Sequence, residues 1–263
     1  MEITGRTALL TGATGGIGHA IARALHARGA KLILTGRRAE VLEPLADELS
    51  ATAMAADLAL RPDVERLIYE AGHADIVVNN AALPASGPLL DFSVEEIDRA
   101  LEVNLRAPTV MARHFGEAMS ARGAGHIVFI SSLSGKTGQA GSGLYSATKF
   151  GLRGLVQGLR GDLAPQNVGV STVFPGFIRD AGMFHESGTV LPKGVGTSTP
   201  EEVAQAVVSA IERNRFEVDV APVGMRVVST FASLAPATAA KLTHRVGGGK
   251  VAAQLAEGQR HKR

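Results

Sequence analysis

A short apolar run, Thr7-Ala8-Leu9-Leu10-Thr11, ends in a glycine cluster, Gly12-Ala13-Thr14-Gly15-Gly16-Ile17-Gly18, and helical spacing follows over residues 17–28. A strand, a tight turn and a helix in that order limit the fold more than any other feature. A strand that leads into a helix returns through a crossover to a parallel neighbour. The unit then repeats. Strands are predicted at residues 31–35, 52–56, 75–79, 125–130, 168–174 and 216–220, and helices at 38–49, 61–70 and 142–163. The unbroken apolar centre of Asp75-Ile76-Val77-Val78-Asn79 fits a strand covered on both faces. In Phe216-Glu217-Val218-Asp219-Val220 apolar and acidic residues alternate, which predicts a wet face and a place at the sheet edge. The expected fold class is α/β, a doubly wound parallel sheet with helices on both faces.

Two helix starts are marked by capping boxes, Ser93 with Glu96 and Thr199 with Glu202, the second with Pro200 at its first position. The first helix is expected to run past Asn104 and to kink at Pro108. Residues 175–198 are too long for an ordinary connection and are expected to form a lid. Beyond Pro222 an apolar stripe, Val227, Val228, Phe231 and Leu234, recurs at helical spacing. It wants a partner: the domain's own surface, another subunit or a lipid interface. Residues 1–222 are therefore read as the catalytic domain and 223–263 as a C-terminal helical extension with a basic tail.

At 263 residues the chain is long enough for one large domain that buries roughly 70–75% of its unfolded surface. No linker, repeat or low-complexity tract divides it. The absence of cysteine excludes disulfides and thiolate metal sites. With no signal-peptide pattern and no long uncharged apolar stretch, a cytoplasmic protein is expected. The net charge of +2 is a property of the tail, where Lys241, Arg245, Lys250, Arg260, Lys262 and Arg263 face only Glu257. No aromatics are interleaved there, so no nucleic-acid partner is expected and the tail reads as a solvated terminus.

Tyr145 and Lys149 stand at i and i+4 on a predicted helix, so a phenol and an ammonium point at one spot. A nearby cation lowers a phenol's pKa, and such a Tyr can exchange a proton with an alcohol or carbonyl. The glycine cluster lets the backbone approach a pyrophosphate at a helix N-terminus. After the second strand stands Gly36-Arg37-Arg38, with no carboxylate to repel a 2′-phosphate. Arg37 offers a charged fork suited to phosphate. NADP(H) is therefore favoured as cofactor, with NAD(H) the alternative, while Arg38 also fits a solvated helix start.

Taken together, these motifs resemble the short-chain dehydrogenase/reductase family over about residues 5–222, which implies a single Rossmann-type domain. The family's glycine motif is matched by Gly12, Thr14, Gly15, Gly16, Ile17 and Gly18, its adenine-side acid by Asp57 beside Leu58, and its N-N-A-G motif by Asn79-Asn80-Ala81-Ala82. Asn104, Ser132, Tyr145 and Lys149 match the catalytic set, and Pro175-Gly176 with Ile178 the nicotinamide-side loop. The resemblance implies that Tyr145 protonates a carbonyl oxygen as hydride arrives from the nicotinamide, that Lys149 holds the nicotinamide ribose and lowers the Tyr145 pKa, and that Ser132 binds the substrate oxygen. Asn104 is implied to hold a water that links Lys149 to bulk. Ser131 is expected to point the other way. Two departures stand out: Ala82 replaces glycine, and Asp180 stands where relatives commonly carry a Thr that contacts the nicotinamide amide.

Eight scattered histidines form no ligand pair, so no metal is expected, although His185 in the lid could touch substrate. No G-x-S-x-G elbow is present. Met183-Phe184-His185, with Leu83 and Leu133, suggests an apolar pocket mouth. The expected activity is reversible hydride transfer between NADP(H) and a small-molecule carbonyl or alcohol substrate. A dinucleotide-binding sensor or scaffold without turnover is the alternative, and an enzyme docked through its tail on a membrane or partner is a third reading. The expected assembly is a homo-oligomer, a dimer or tetramer.

Overall fold

Seven strands, β1 (Thr7–Thr11), β2 (Lys31–Gly36), β3 (Thr52–Ala55), β4 (Ile76–Asn79), β5 (Gly125–Ile130), β6 (Val168–Pro175) and β7 (Glu217–Val220), form one parallel sheet in the order β3-β2-β1-β4-β5-β6-β7. The computed structural model describes residues 1–192, 194–238 and 248–260. The chain winds outward from β1 through β2 to β3, then crosses back to place β4 against β1. That reversal opens a crevice at the carboxyl ends of β1 and β4, the usual place for a ligand on such a sheet.

Side chains alternate across each strand, so the two faces carry separate cores. Leu10, Ile76 and Val78 pack with helices α1 (Gly16–His26), α2 (Ala39–Glu48) and α8 (Pro200–Glu212). Leu9, Val77 and Ile127 pack with α3 (Arg61–Ala71), α5 (Ala107–Arg122) and α6 (Gly143–Leu163). Ile76, Val77 and Val78 are fully buried, which explains the unbroken apolar run of β4. Each contributes roughly 1.5–3 kcal/mol of burial. The same two-sided burial makes room for a polar pair. His126 of β5 lies opposite Gly169 of β6, where a Cβ would come within 2.3 Å of the imidazole.

Both capping boxes form: Ser93 Oγ accepts from the Glu96 amide and Thr199 Oγ1 from the Glu202 amide. Between α4 (Val94–Leu101) and α5 the helix widens into a π turn at Glu102–Arg106, directly before Pro108. Proline removes the bond to the carbonyl four residues back, and the residue just before it, Ala107, donates to the Glu102 carbonyl five residues back.

β7 does lie at the edge, but its acidic face is not wet. Lys136 Nζ reaches Glu217 at 3.1 Å and Asp219 at 2.6 Å, Arg153 reaches Glu217 at 2.8 Å, and Lys136 covers the Phe174 ring at 4.2 Å. The alternation marks a covered ion cluster, which period alone cannot distinguish from a solvated face.

The residue 175–198 segment carries a short helix, α7 (Gly182–Glu186), and a single bridge from Ile178 to Ser198. It is followed beyond β7 by α9 (Val223–Leu234) and α10 (Gly248–Gln259). On α9, Val227, Phe231 and Leu234 are exposed, while Ser229 and Ala232 are buried. The apolar stripe is therefore not covered by the described residues. The solvated-terminus reading needs correction for part of the tail, since Ala256 and Gln259 are buried. Lys241, Arg245, Lys262 and Arg263 lie outside the described residues, and Arg260 is exposed. Among the described residues no helix is long and apolar enough to cross a membrane.

Candidate active site

The glycine turn is held by contacts that only glycine allows. Gly12 has φ +66°, and a Cβ there would lie 2.8 Å from the Ala81 Cα; one on Gly18 would lie 2.3 Å from the Gly12 carbonyl oxygen. The turn after β4 is bolted to the turn after β1. Asn80 Nδ2 donates to the Thr11 and Gly12 carbonyls at 3.0 and 3.1 Å, while Thr11 Oγ1 accepts from the Asn80 and Ala81 amides at 3.0 Å each. Gly15 caps α1 without a side-chain hydrogen bond, and no acid stands in its first turn. The first amides of α1 therefore face the cleft as an anion site.

That cleft has a volume of about 580 Å³ and is lined by Gly12, Thr14, Gly15, Ile17 and Gly18 at one end and by Arg37, Asp57 and Leu58 at the other. Arg37 makes no hydrogen bond or ion pair among the described residues, so its fork is free. Arg38 instead donates to the Thr14 carbonyl at 2.7 Å and braces the glycine turn. Asp57 accepts from the Ala59 amide at 3.0 Å and stands 3.7 Å from Arg99. A nucleotide with a pyrophosphate and a 2′-phosphate fits this donor set.

A second cavity of about 620 Å³ adjoins the cleft and contains Ser132, Tyr145, Lys149, Pro175, Gly176 and Ile178. Tyr145 and Ser132 line this cavity together, with the Ser132 hydroxyl near enough to act on the phenol. Ser132 Oγ accepts from the Ser134 amide at 3.1 Å, which holds the hydroxyl in place. Lys149 is buried and donates to the Ile130 carbonyl at 3.0 Å. Ser131 touches the same cavity, but its Oγ is bonded to the Lys149 carbonyl at 3.1 Å and ties α6 to the end of β5.

The direction expected for the phenol pKa is reversed. Burial pushes Tyr145 up to about 12, against a smaller lowering by the nearby Ser132 hydroxyl. Burial also pulls Lys149 down to about 8. The Lys149 ammonium is 5.6 Å from the Tyr145 ring centroid and turned to the Ile130 carbonyl, so desolvation outweighs pairing for both groups.

Several expected residues lie outside the cavities. Asn104 is buried in the π turn, where its Oδ1 accepts from the Leu83 amide at 2.7 Å and its Nδ2 donates to the Leu83 carbonyl at 2.9 Å. It lines neither cavity and positions the loop that does. A water relay through its side chain would need capacity beyond those two bonds. Asp180 is 69% exposed at its side chain, has φ +69° and pairs with Arg179 at 3.5 Å. His185 is exposed and lines neither cavity. Met183 and Phe184 do line the second cavity, and the Phe184 ring lies 4.9 Å from that of Phe177. Leu133 joins them there, whereas Leu83 faces the cleft.

Sequence reasoning missed the part of the wall supplied by α10, namely Val251, Ala252, Leu255 and Gln259. The four-residue spacing of Val251, Leu255 and Gln259 is a helical face that was legible, but it was absorbed into a tail read by its charge. Lys136, whose carbonyl accepts from Ser233 Oγ at 2.8 Å, was also missed; it ties the Ser132 loop to α9 and β7. Among the described residues no cluster of His, Asp or Glu is placed to hold a metal.

The family model for short chain dehydrogenases matches residues 6–190. The chain is 35% identical over 225 residues to a ketoacyl reductase, HetN, of Nostoc sp., covering 82% of this chain and 78% of the relative. It is 42% identical over 186 residues to nodulation protein G of Rhizobium sp., covering 68% and 76%. Among solved structures, a short-chain dehydrogenase from Sphingobium yanoikuyae in complex with NADPH superposes with a TM-score of 0.76 at 28% identity, covering 81% of this chain and 87% of that one. A short-chain dehydrogenase from Streptomyces avermitilis gives a TM-score of 0.76 at 26% identity and covers 93% and 97%. With the sheet order, the glycine turn and the Ser132, Tyr145 and Lys149 cluster, these matches establish that the chain belongs to the short-chain dehydrogenase/reductase family of oxidoreductases.

Proposed function

We propose that the protein transfers hydride reversibly between NADP(H) and an apolar carbonyl or alcohol, with Tyr145 as the general acid and base. The observation that carries this reading is the grouping of Ser132, Tyr145 and Lys149 in one cavity that adjoins the glycine-turn cleft. A pure sensor has no physical need for that proton-transfer set.

Bound NADPH supplies the hydride. Tyr145, a phenol protonated at neutral pH and kept so by burial, gives its proton to the substrate oxygen as that oxygen gains negative charge. Ser132 accepts from a backbone amide, so its own O–H is available to the same oxygen. Lys149 is kept beside Tyr145 by its bond to Ile130 and has two further N–H groups for the nicotinamide ribose. Arg37 is read as the 2′-phosphate contact that favours NADP(H). Leu133, Phe177, Phe184, Val228 and Leu255 make the cavity wall apolar, which supports an apolar substrate. The ketoacyl reductase of Nostoc and the NADPH complex of the Sphingobium enzyme agree with a carbonyl substrate and this cofactor. Helices α9 and α10 of the 223–263 extension are read as walls of the substrate cavity.

A panel of ketones and alcohols, followed by the absorbance of the reduced nicotinamide with NADPH and NADH, tests the reading. Turnover of an apolar ketone with NADPH is expected, and Tyr145→Phe should lower it by roughly 10²–10⁴-fold while cofactor still binds. A Tyr145→Phe rate within a few-fold of wild type would falsify the mechanism.

A further inference from the structure

Gln259, at the end of α10, borders both cavities, a position shared only with Ile17, Asn80, Ala82 and Met183 among the described lining residues. Its seat is closely built. A Cβ on Gly258 would come within 2.2 Å of the Ser187 carbonyl oxygen, so backbone meets backbone beside the lid and a side chain would not fit. Gln259 Nε2 donates to the Met183 carbonyl at 3.1 Å. A carbonyl can only accept, so the amide NH2 must face Met183 and Oε1 must face away from it. That oxygen is buried, within a residue only 5% exposed, and has no hydrogen-bond partner among the described residues. Buried acceptors are normally paired, which makes this one a place for a donor.

A dinucleotide that lies on the glycine turn with its 2′-phosphate at Arg37 reaches Tyr145 only by crossing from the first cavity into the second. The nicotinamide half then passes the junction that Gln259 borders. Phosphate oxygens would be repelled by an acceptor, so the groups on that half that suit Oε1 are N–H and O–H donors. Lys149 and Tyr145 flank the expected ribose position, and Asp180, where the resemblance would put the amide contact, is turned out to solvent.

We propose that Gln259 accepts a hydrogen bond from the carboxamide NH2 of the nicotinamide, so that the C-terminal helix completes the cofactor site. The inference rests on the NADP(H) reading above. It makes residues 248–260 part of the binding machinery.

The test is calorimetric binding of NADP⁺, of its 3-acetylpyridine analogue, in which a methyl group replaces the carboxamide NH2, and of 2′-phospho-ADP-ribose, which lacks the nicotinamide. One hydrogen bond corresponds to about a five- to tenfold preference. Wild type is expected to prefer NADP⁺ over the analogue by that factor, and Gln259→Met to lose the preference while binding 2′-phospho-ADP-ribose as before. An equal preference in both proteins overturns the inference, whatever the absolute affinities, because a contact to the ribose, which both ligands carry, would leave the ratio unchanged. A wild type that binds neither NADP⁺ nor 2′-phospho-ADP-ribose overturns the cofactor reading itself. On the unaltered protein, hydrogen exchange over residues 248–260 should slow more with NADP⁺ than with the analogue; equal slowing counts against the proposal even if Gln259→Met fails to fold.

Discussion

His126 makes the stability of this protein dependent on pH in a way that can be calculated and tested. Its imidazole is buried between β5 and β6, with Nε2 2.8 Å from Ser171 Oγ. Ser171 donates its own hydrogen to the Arg215 carbonyl, so it accepts from an imidazole N–H and the neutral ring is satisfied. Burial pulls the pKa down to about 3, with further lowering by the N-terminus and Arg160. The unfolded chain binds a proton near pH 6.5 and the folded one does not until about pH 3, so stability falls as pH drops through that window. Each full pH unit inside it corresponds to about 1.4 kcal/mol. From pH 7 to pH 5 the loss assigned to this residue is about 2 kcal/mol. Urea unfolding of wild type and His126→Gln at both pH values measures it, because the other titrating groups cancel in the difference. The variant starts less stable, yet its loss between pH 7 and pH 5 should be smaller than that of wild type by that amount. Parallel losses would mean that the buried imidazole is hydrated or already protonated, and the reasoning would fail.

Arg37→Asp removes the free guanidinium and places a carboxylate beside the expected 2′-phosphate. A charge-assisted bond contributes about 1.5–3 kcal/mol, so the NADPH to NADH preference in kcat/KM should fall by roughly ten- to a hundredfold; an unchanged ratio refutes the assignment. The raised Tyr145 pKa predicts that alcohol oxidation, which needs the phenolate, climbs steadily with pH from 7 to 10. A plateau below pH 9 in the single-turnover rate would show that the bound cofactor and Lys149 overcome burial.

The strand positions at the centre of the sheet were legible because local rules acted alone. Ile76, Val77 and Val78 are apolar without a break since both faces of β4 are covered, and glycine is required at 12 and 18 because a Cβ at either would lie under 3 Å from backbone atoms. Tyr145 and Lys149 meet because a helix brings i and i+4 together, a geometry that survives whatever else packs nearby.

The apolar-acidic alternation in β7 failed for the opposite reason. Period reports that two faces differ, but the cover over Glu217 and Asp219 comes from Lys136 and Arg153 on other elements. The same limit reversed the expected pKa direction at Tyr145, where spacing shows the cation but not the depth of burial or the Ile130 carbonyl that holds it. It also concealed α10, whose Val251, Leu255 and Gln259 meet the lid across more than sixty residues of chain. The sequence by itself thus determined the parallel sheet, the glycine turn and the placement of Tyr145 and Lys149 on one helix face, which depend on local spacing and backbone sterics. Tertiary structure alone decided which charges are covered, how the buried groups titrate and which distant helix closes the site, because desolvation and long-range contact depend on the whole packed chain.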